Sequence, residues 1–259
     1  MKIKFGALAI VGTILSAIGV VMIVISAIFA YNDYKNYNKF VEGNIKLEED
    51  LDYNFGFDSG TINIHKSSFD YSYIDYKIVD FYEFKVNSSD VKLESKFKLF
   101  FNFFNKNNVD LYLSENIYDN YIKLTLNAGE IISDTELVCD KMDLSLNAGK
   151  INLNVQCNDK LNINVNAGEL NLNSRSNNII VKLNAGKINM GSEFDDLDFR
   201  VNAGELYLRC LTQKDDYTIN IRKNAGRCNL SNGGTGPKNI KGQINAGSVN
   251  INFAEKNLE

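Results

Sequence analysis

The sequence predicts an all-β protein: a β-solenoid of about 20-residue strand–Asn-Ala-Gly–strand repeats, preceded by one N-terminal transmembrane helix. Three observations predict it. A long uncharged apolar run opens the chain, the tripeptide Asn-Ala-Gly recurs every 18 to 22 residues, and apolar residues alternate on both sides of each copy. The hydrophobic fraction of 44% supplies enough apolar side chains for a packed core.

The N-terminal run covers residues 5–30 without a charged side chain. As a helix it would be about 39 Å long, which exceeds the ~30 Å hydrocarbon core of a bilayer. A cleaved signal peptide is the alternative, but its apolar region is typically only ~7–15 residues long. The length favours a retained anchor, with residues 1–4 as a cytoplasmic stub and residues 31–44 as a juxtamembrane linker.

Two features of this segment bear on orientation and partners. Lysines flank the span on both sides, and their distribution slightly favours a cytoplasmic N-terminus and an extracytoplasmic repeat domain at the cell membrane. Small residues spaced three and four apart, including Gly12, Ser16 and Gly19, predict a helix contact. The contact would be with a second copy, giving a homodimer, or with a membrane-protein partner. The alternative is that small residues are simply common in spans.

The seven Asn-Ala-Gly copies predict corners between short strands. Leu146 and Ile151 face the same side only if the alternation changes parity at Gly149, and glycine permits this at a corner. The small alanine is expected inside the corner. One repeat cannot bury its own apolar face, so stacked copies share a core. The predicted corner positions are Asn127, Gly129, Asn147, Gly149, Asn166, Gly168, Asn184, Gly186, Asn202, Gly204, Asn224, Gly226, Asn245 and Gly247.

Charges that alternate in sign follow these glycines. In-register parallel strands place such side chains about 4.8 Å apart, where opposite charges attract. The alternation predicts that neighbouring repeats in the chain are neighbours in space. The asparagines of the corners, and those three residues after the glycine, are expected to form amide ladders. The predicted charge ladder is Glu130, Lys150, Glu169, Lys187, Glu205 and Arg227.

The flanks of the regular repeats are less uniform. Residues 127–259 form the regular solenoid with a C-terminal cap, and residues 45–126 are interpreted as degenerate repeats and a capping layer. FDSGTINI (57–64) keeps the glycine corner, and KVNSSDVKL (85–93) has the same pattern without glycine. NGGTGPK (232–238) predicts a loop between the last two repeats, and the polar tail is expected to protect the terminal strand edge.

Composition excludes several kinds of chemistry. A net charge of −4 argues against nucleic-acid binding, and the single His65 excludes most histidine-based metal and catalytic sites. An aspartate column at the second corner, including Asp140, Asp159 and Asp195, could bind calcium or hydrolyse glycosides. Aspartates are also ordinary turn residues, and no insertion walls off a cleft. No catalytic residue, metal or cofactor is predicted.

The four cysteines lack the spacing of a zinc site. Cys139 and Cys157 occupy nearly equivalent positions of adjacent repeats and are the one plausible disulfide pair. Free buried thiols are expected, because disulfide geometry is demanding.

The chain resembles the toast-rack family of β-strand-repeat domains, which are regarded as candidate adhesins. DSGTINI is similar to the family's Ser-Gly-acidic motif, and residues 109–131 are similar to the stretch that leads into its regular repeats. This chain differs in having alanine before glycine and basic residues at half of the acidic positions. The resemblance implies a membrane-linked, non-catalytic module of bacterial envelope-stress sensing or surface interaction.

Three function classes follow. The first and favoured one is a membrane-anchored extracytoplasmic module that binds or senses at the cell envelope. The second is a structural scaffold that self-assembles through its ends, and the third is a carbohydrate-active enzyme. The sequence does not identify the ligand.

Overall fold

The computed structural model describes residues 39–48, 52–80, 82–87, 90–96, 107–114 and 121–255, together with Met22 and Ile25. From residue 39 onward the described residues form strands and one short 3₁₀ helix. The strands are β1 (Phe40–Lys46), β2 (Asp52–Lys66), β3 (Tyr73–Val79), β4 (Tyr82–Asn87), β5 (Asp90–Ser95), β6 (Asn108–Leu113), β7 (Tyr121–Leu146), β8 (Lys150–Val165), β9 (Glu169–Glu193), β10 (Asp196–Cys210), β11 (Tyr217–Lys223), β12 (Arg227–Cys228), β13 (Lys238–Ile244) and β14 (Ser248–Phe253), with the 3₁₀ helix at Lys214–Asp216.

The predicted transmembrane helix at residues 5–30 lies outside the described residues, apart from Met22 and Ile25, which are helical. The predicted helix contact at Gly12, Ser16 and Gly19 lies outside them as well, and both stay predictions. Among the residues that the structure describes, no helix combines the length and apolar character needed to cross a membrane.

The described strands join in one large mixed sheet of 14 strands, which confirms the all-β prediction. β2, β7, β8, β9 and β10 pair in parallel, in the order in which they follow one another. Because the long strands continue through the corners, each turn of the chain has two faces. Face A is the segment before the Asn-Ala-Gly corner and face B is the segment after it.

Burial alternates along both faces and changes parity at the corner, as the sequence predicts. Leu144 and Leu146 on face A and Ile151 and Leu153 on face B are all at most 4% exposed, and they belong to one core cluster. The alanines are an exception. Ala148 is exposed rather than inside the corner, and it is the backbone of Gly149 that packs closely against Gly129 of the neighbouring turn.

Gly149 shows why the corner requires glycine. Its φ is +105°, and a Cβ atom there would lie 2.0 Å from the carbonyl oxygen of Gly129. A side chain would therefore separate the stacked turns as well as strain the backbone.

The N-terminal half begins with a true repeat followed by an insertion. Gly60 of β2 pairs with Gly129 of β7, so FDSGTINI forms the turn that stacks directly on the first Asn-Ala-Gly copy. The residues between β2 and β7 extend the sheet at its other edge, with β6, β3 and β1 on face B and β5 and β4 on face A. KVNSSDVKL spans the antiparallel pair β4–β5 rather than a degenerate corner.

The C-terminal repeats do not stack in chain order. β13 lies between β10 and β11, and β14 lies between β10 and β12. The last repeat in the sequence (β13 and β14) is therefore stacked between β10 and the repeat that precedes it in the sequence (β11 and β12). The outer edge of β11 is covered by the connecting loop, in which Gly233 exchanges backbone hydrogen bonds of 2.8 and 3.0 Å with Ile219. The loop therefore protects this edge, and the last four residues of the polar tail lie outside the described residues.

Candidate binding surface

The corner asparagines form a continuous hydrogen-bonded ladder. Each side-chain amide donates to the carbonyl oxygen of the stacked neighbour, and the first of them, Asn127, donates to Asp58 over 2.8 Å. The ladder satisfies its own donors and acceptors and fixes the register of the turns. Its donor–acceptor distances are 2.6 Å for Asn147–Asn127, 2.5 Å for Asn166–Asn147, 2.6 Å for Asn184–Asn166, 2.6 Å for Asn202–Asn184, 2.6 Å for Asn245–Asn202 and 2.8 Å for Asn224–Asn245.

The charged residues after the glycines lie in one column, with a correction at its end. Lys150 pairs in register with Glu130 and Glu169, and Glu205 pairs with Lys187. Arg227 does not follow Glu205, because the inserted β14 places Ser248 between them.

The charged side chains of this column contact polar and aromatic neighbours. Glu169 accepts a hydrogen bond of 3.0 Å from Asn171, and the Lys187 ammonium lies 5.1 Å from the centroid of the Tyr207 ring. In the described part of the chain, none of the ion pairs within 4.0 Å joins two members of the column.

A groove of about 490 Å³ lies on the outer side of face B, and we call it the amide groove. Two columns of side chains line it. The residues three positions after the corner glycines form the first column, and the residues two positions further on form the second. The first column is Asn152, Asn171, Asn189, Tyr207 and Asn250, and the second is Asn154, Asn173, Gly191, Arg209 and Asn252.

Amide–amide hydrogen bonds order the groove. Asn171 donates to Asn152 over 2.8 Å, and Asn189 donates to Asn171 over 2.7 Å. In the second column Asn173 donates to Asn154 over 2.9 Å. The first ladder stops at Tyr207, which takes the place of asparagine in that turn.

An aromatic row lies on face B nearer the N-terminal edge, on β2, β6 and β3. The rings of Tyr73 and Tyr112 stack with centroids 4.4 Å apart, and His65 lies 5.0 Å from Tyr112. Burial, together with the charges of neighbouring tyrosine and acidic groups, raises the pKa of both tyrosines. Asp134 lies 2.6 Å from the Nδ1 atom of His65.

Comparison with known proteins identifies the family. The sequence profile of a family described as Toastrack DUF4097 matches residues 58–259. The chain belongs to this family. No curated protein matches this toastrack sequence.

Solved structures are similar to this toastrack chain, and the one with a TM-score above 0.5 shares its fold. A candidate adhesin from Bacteroides fragilis is 12% identical with a TM-score of 0.57, and the match covers 84% of this chain and 99% of that one. A candidate adhesin from Parabacteroides merdae is 16% identical with a TM-score of 0.46, covering 83% and 97%. A candidate lipid-binding protein from Parabacteroides distasonis is 11% identical with a TM-score of 0.46, covering 84% and 98%.

The aspartates of the second corner are engaged in structural contacts in the toastrack chain. Asp140 accepts from Asn158 over 2.9 Å, and Asp159 lies 3.5 Å from Lys141. Asp195 pairs with Lys238 at 3.1 Å. Among the described residues, no group of three or more His, Cys, Asp or Glu side chains could hold a metal ion.

Cys139 and Cys157 are brought together as register partners. Their sulfur atoms lie 3.3 Å apart, both thiols are free, and both side chains are buried. The hydrogen bond to Cys139 and burial raise the pKa of Cys157, which makes a poor nucleophile of it.

Tyr207 and Arg209 were not singled out by the sequence reasoning. A usable signal was present, because Tyr207 interrupts a column in which the adjoining repeats carry asparagine. A residue that breaks a repeated asparagine column is a candidate for a role other than stabilising the stack.

Proposed function

We propose that this toastrack chain is a membrane-anchored, extracytoplasmic, non-catalytic module that binds a component of the bacterial cell envelope, as an adhesin-like or envelope-stress accessory protein. The amide groove carries this proposal. It is an open surface on which amides, one aromatic ring and one guanidinium are held at fixed spacing by the strands beneath them.

The chemistry of the groove suits binding rather than bond cleavage. General acid–base catalysis needs a side chain that exchanges protons near the working pH. Among the residues that the structure describes, the groove is lined by asparagine, serine, tyrosine, arginine, glycine and apolar residues, and none of its lining residues is an aspartate, glutamate, histidine or cysteine. These groups donate and accept hydrogen bonds without changing charge at neutral pH.

Two further observations support the location and the class of function. The uncharged run at residues 5–30 is long enough to cross a bilayer, which favours an anchored domain. The fold similarity to the Bacteroides fragilis candidate adhesin is consistent with a surface role.

A scaffold that grows end to end is the less favoured interpretation. Open sheet edges template further strands, and native proteins block them. The outer edge of β11 is occupied by the loop that contains Gly233, and the Asn232 side chain accepts from the backbone N–H of Ile221 over 2.7 Å. This end of the stack is closed to a second copy.

Two measurements test the proposal. External protease applied to intact cells should remove the domain that follows Phe40, while a cytoplasmic marker stays intact. The detergent-solubilised full chain should then co-sediment with purified envelope fragments. Protection of the domain until the membrane is broken would reverse the orientation, and a chain that stays in the supernatant would contradict binding.

A further inference from the structure

We propose that the amide groove binds an acidic polysaccharide, with a sugar ring against Tyr207 and a carboxylate at Arg209. This inference rests on the proposed binding function and names its ligand class. The three kinds of group that recognise such a polymer lie together on the outer side of face B: amides for hydroxyls, an aromatic ring for a sugar face, and a guanidinium for the acid.

The amides provide hydrogen-bonding capacity that the ladder does not consume. An asparagine side chain offers two N–H donors and an oxygen with two lone pairs. Asn189 donates one hydrogen bond to Asn171, and its register partner in the following turn is Tyr207, which has no amide to donate to it. Hydroxyl groups of a sugar both donate and accept, so they can complete this interrupted ladder.

Tyr207 provides the apolar platform. Its side chain is 41% exposed, and it is one of the few large hydrophobic residues that the described core leaves in solvent. Tyrosine combines an apolar ring with a polar hydroxyl, which suits a ligand whose faces are apolar and whose edges are hydroxylated. The Lys187 ammonium lies over the ring, 5.1 Å from its centroid, and adds positive charge at the platform.

Arg209 specifies the acid. It is the one charged side chain that lines the groove, and within the described residues no carboxylate lies within 4.0 Å of it. The neighbouring Arg175 is different, because Glu193 lies 3.0 Å from its guanidinium. The planar guanidinium fork of an uncompensated arginine matches a carboxylate in two parallel hydrogen bonds.

The carboxylates around the groove lie away from the Arg209 guanidinium. Glu169 accepts a hydrogen bond from Asn171, Glu205 is the register partner of Lys187 in the column next to the corner, and Glu136 is the register partner of Asn154 at the β7 end of the second column. Gly191 deepens the groove next to Arg209, since a Cβ atom there would lie 2.9 Å from the Oδ1 atom of Asn173. A planar acid can approach the guanidinium across this gap.

The shape of the groove favours a polymer over a single sugar. It runs across the stacked strands from β7 to β14, a distance of about 24 Å at the usual spacing of neighbouring strands. A chain of linked sugars can lie along this line, perpendicular to the strands.

The test uses the full chain in detergent and isothermal titration calorimetry. The acidic probes are oligosaccharides of galacturonate, alginate and hyaluronan, and the neutral probes are maltotetraose and cellotetraose. We expect at least one acidic probe to bind more tightly than both neutral ones. Arg209→Gln should weaken that binding by about tenfold, because hydrogen bonds to charged groups are the strong ones.

Two variants complete the design. Tyr207→Asn introduces the residue found in the adjoining turns, so it should keep the fold while weakening the binding of the acidic probe. Arg175→Gln removes a paired arginine outside the groove and should leave binding unchanged. Failure of every acidic probe to bind, equal binding of neutral probes, or equal affinities for wild type and the Tyr207 and Arg209 variants would each overturn the inference. If the chain still co-sediments with envelope fragments in such a case, the binding function stands and the ligand class is wrong.

Discussion

The side-chain amide of Asn245 donates a hydrogen bond of 2.6 Å to the side-chain oxygen (Oδ1) of Asn202, although the two residues are 43 positions apart. Asn224, which comes earlier in the chain than Asn245, lies on the far side of it and donates to it over 2.8 Å. The last two repeats are therefore stacked in reverse order, and their connecting loop is free to cover the exposed edge of β11.

The corner asparagine ladder predicts that a substitution in its middle lowers the free energy of unfolding more than a substitution at its end. Asn166→Ala removes two amide hydrogen bonds, one to Asn147 and one from Asn184, whereas Asn224→Ala removes the single bond to Asn245. We expect a loss of about 1–2 kcal/mol for Asn166→Ala and about half of that for Asn224→Ala. Urea unfolding followed by circular dichroism measures both, and equal losses would show that the ladder does not act as a connected unit.

The reversed order predicts which charges interact. Glu205 is a register partner of Lys187 and of Ser248, while Arg227 lies one strand further away. A double-mutant cycle between Glu205 and Lys187 at low salt should give a coupling of roughly 0.2–1 kcal/mol. The same cycle between Glu205 and Arg227 should give nearly none. A larger coupling for the second pair would contradict the inserted strand.

Two glycines with positive φ separate backbone strain from steric contact. Gly149→Ala places a Cβ atom 2.0 Å from a carbonyl oxygen of the next turn, at a φ of +105°. Gly233→Ala meets no atom within 4 Å, at a φ of +140°. We expect the first variant to lose several kcal/mol of folding free energy or fail to fold. The second should lose about 1–2 kcal/mol of folding free energy, because only backbone strain opposes it. Thermal unfolding distinguishes them, and similar midpoints would argue against close stacking at the corner.

Tyr121 predicts a loss of stability at high pH. Burial and its 2.5 Å hydrogen bond to Asp143 raise the pKa of Tyr121 to about 12, from an ordinary value of 10.0. The unfolded chain therefore releases this proton first, so the contribution to stability is complete below pH 10 and is lost as the pH rises from 10 to 12.

The variant Tyr121→Phe should consequently lose less stability than wild type between pH 10 and pH 12. Tyr207→Phe, which removes the hydroxyl of a more exposed tyrosine, is the matched control. Urea midpoints measured at each pH check the effect. Parallel pH profiles for wild type and Tyr121→Phe would show that the Tyr121 hydroxyl does not carry it.

The local structure of each repeat was predictable from the sequence because its causes are local. Alternation of apolar residues defines which side chains are buried, and a glycine that changes the parity defines the corner, as Leu146 and Ile151 show. The corner asparagines were also predictable as a ladder, since an amide that recurs at the same position of a parallel stack lies beside its copies. The first column of the amide groove was predicted as an amide ladder in the same way, and the structure shows that Tyr207 interrupts it.

The order of the strands was decided by the tertiary structure. The alternation of apolar and polar residues is the same in every repeat, so it does not determine which repeats are neighbours in the sheet. Glu205 beside Ser248 and Gly60 beside Gly129 follow from insertions that the repeat pattern does not encode.

The sequence by itself determined the all-β repeat architecture, the faces of its strands and the residues of its corners. Only the tertiary structure decided that the last repeat is inserted before the preceding one, that a loop seals β11, and that Tyr207 and Arg209 share a groove with the asparagine columns. The physical reason is range: side-chain alternation and glycine corners act within a few residues, whereas the stacking of strands depends on backbone hydrogen bonds between residues far apart in the chain.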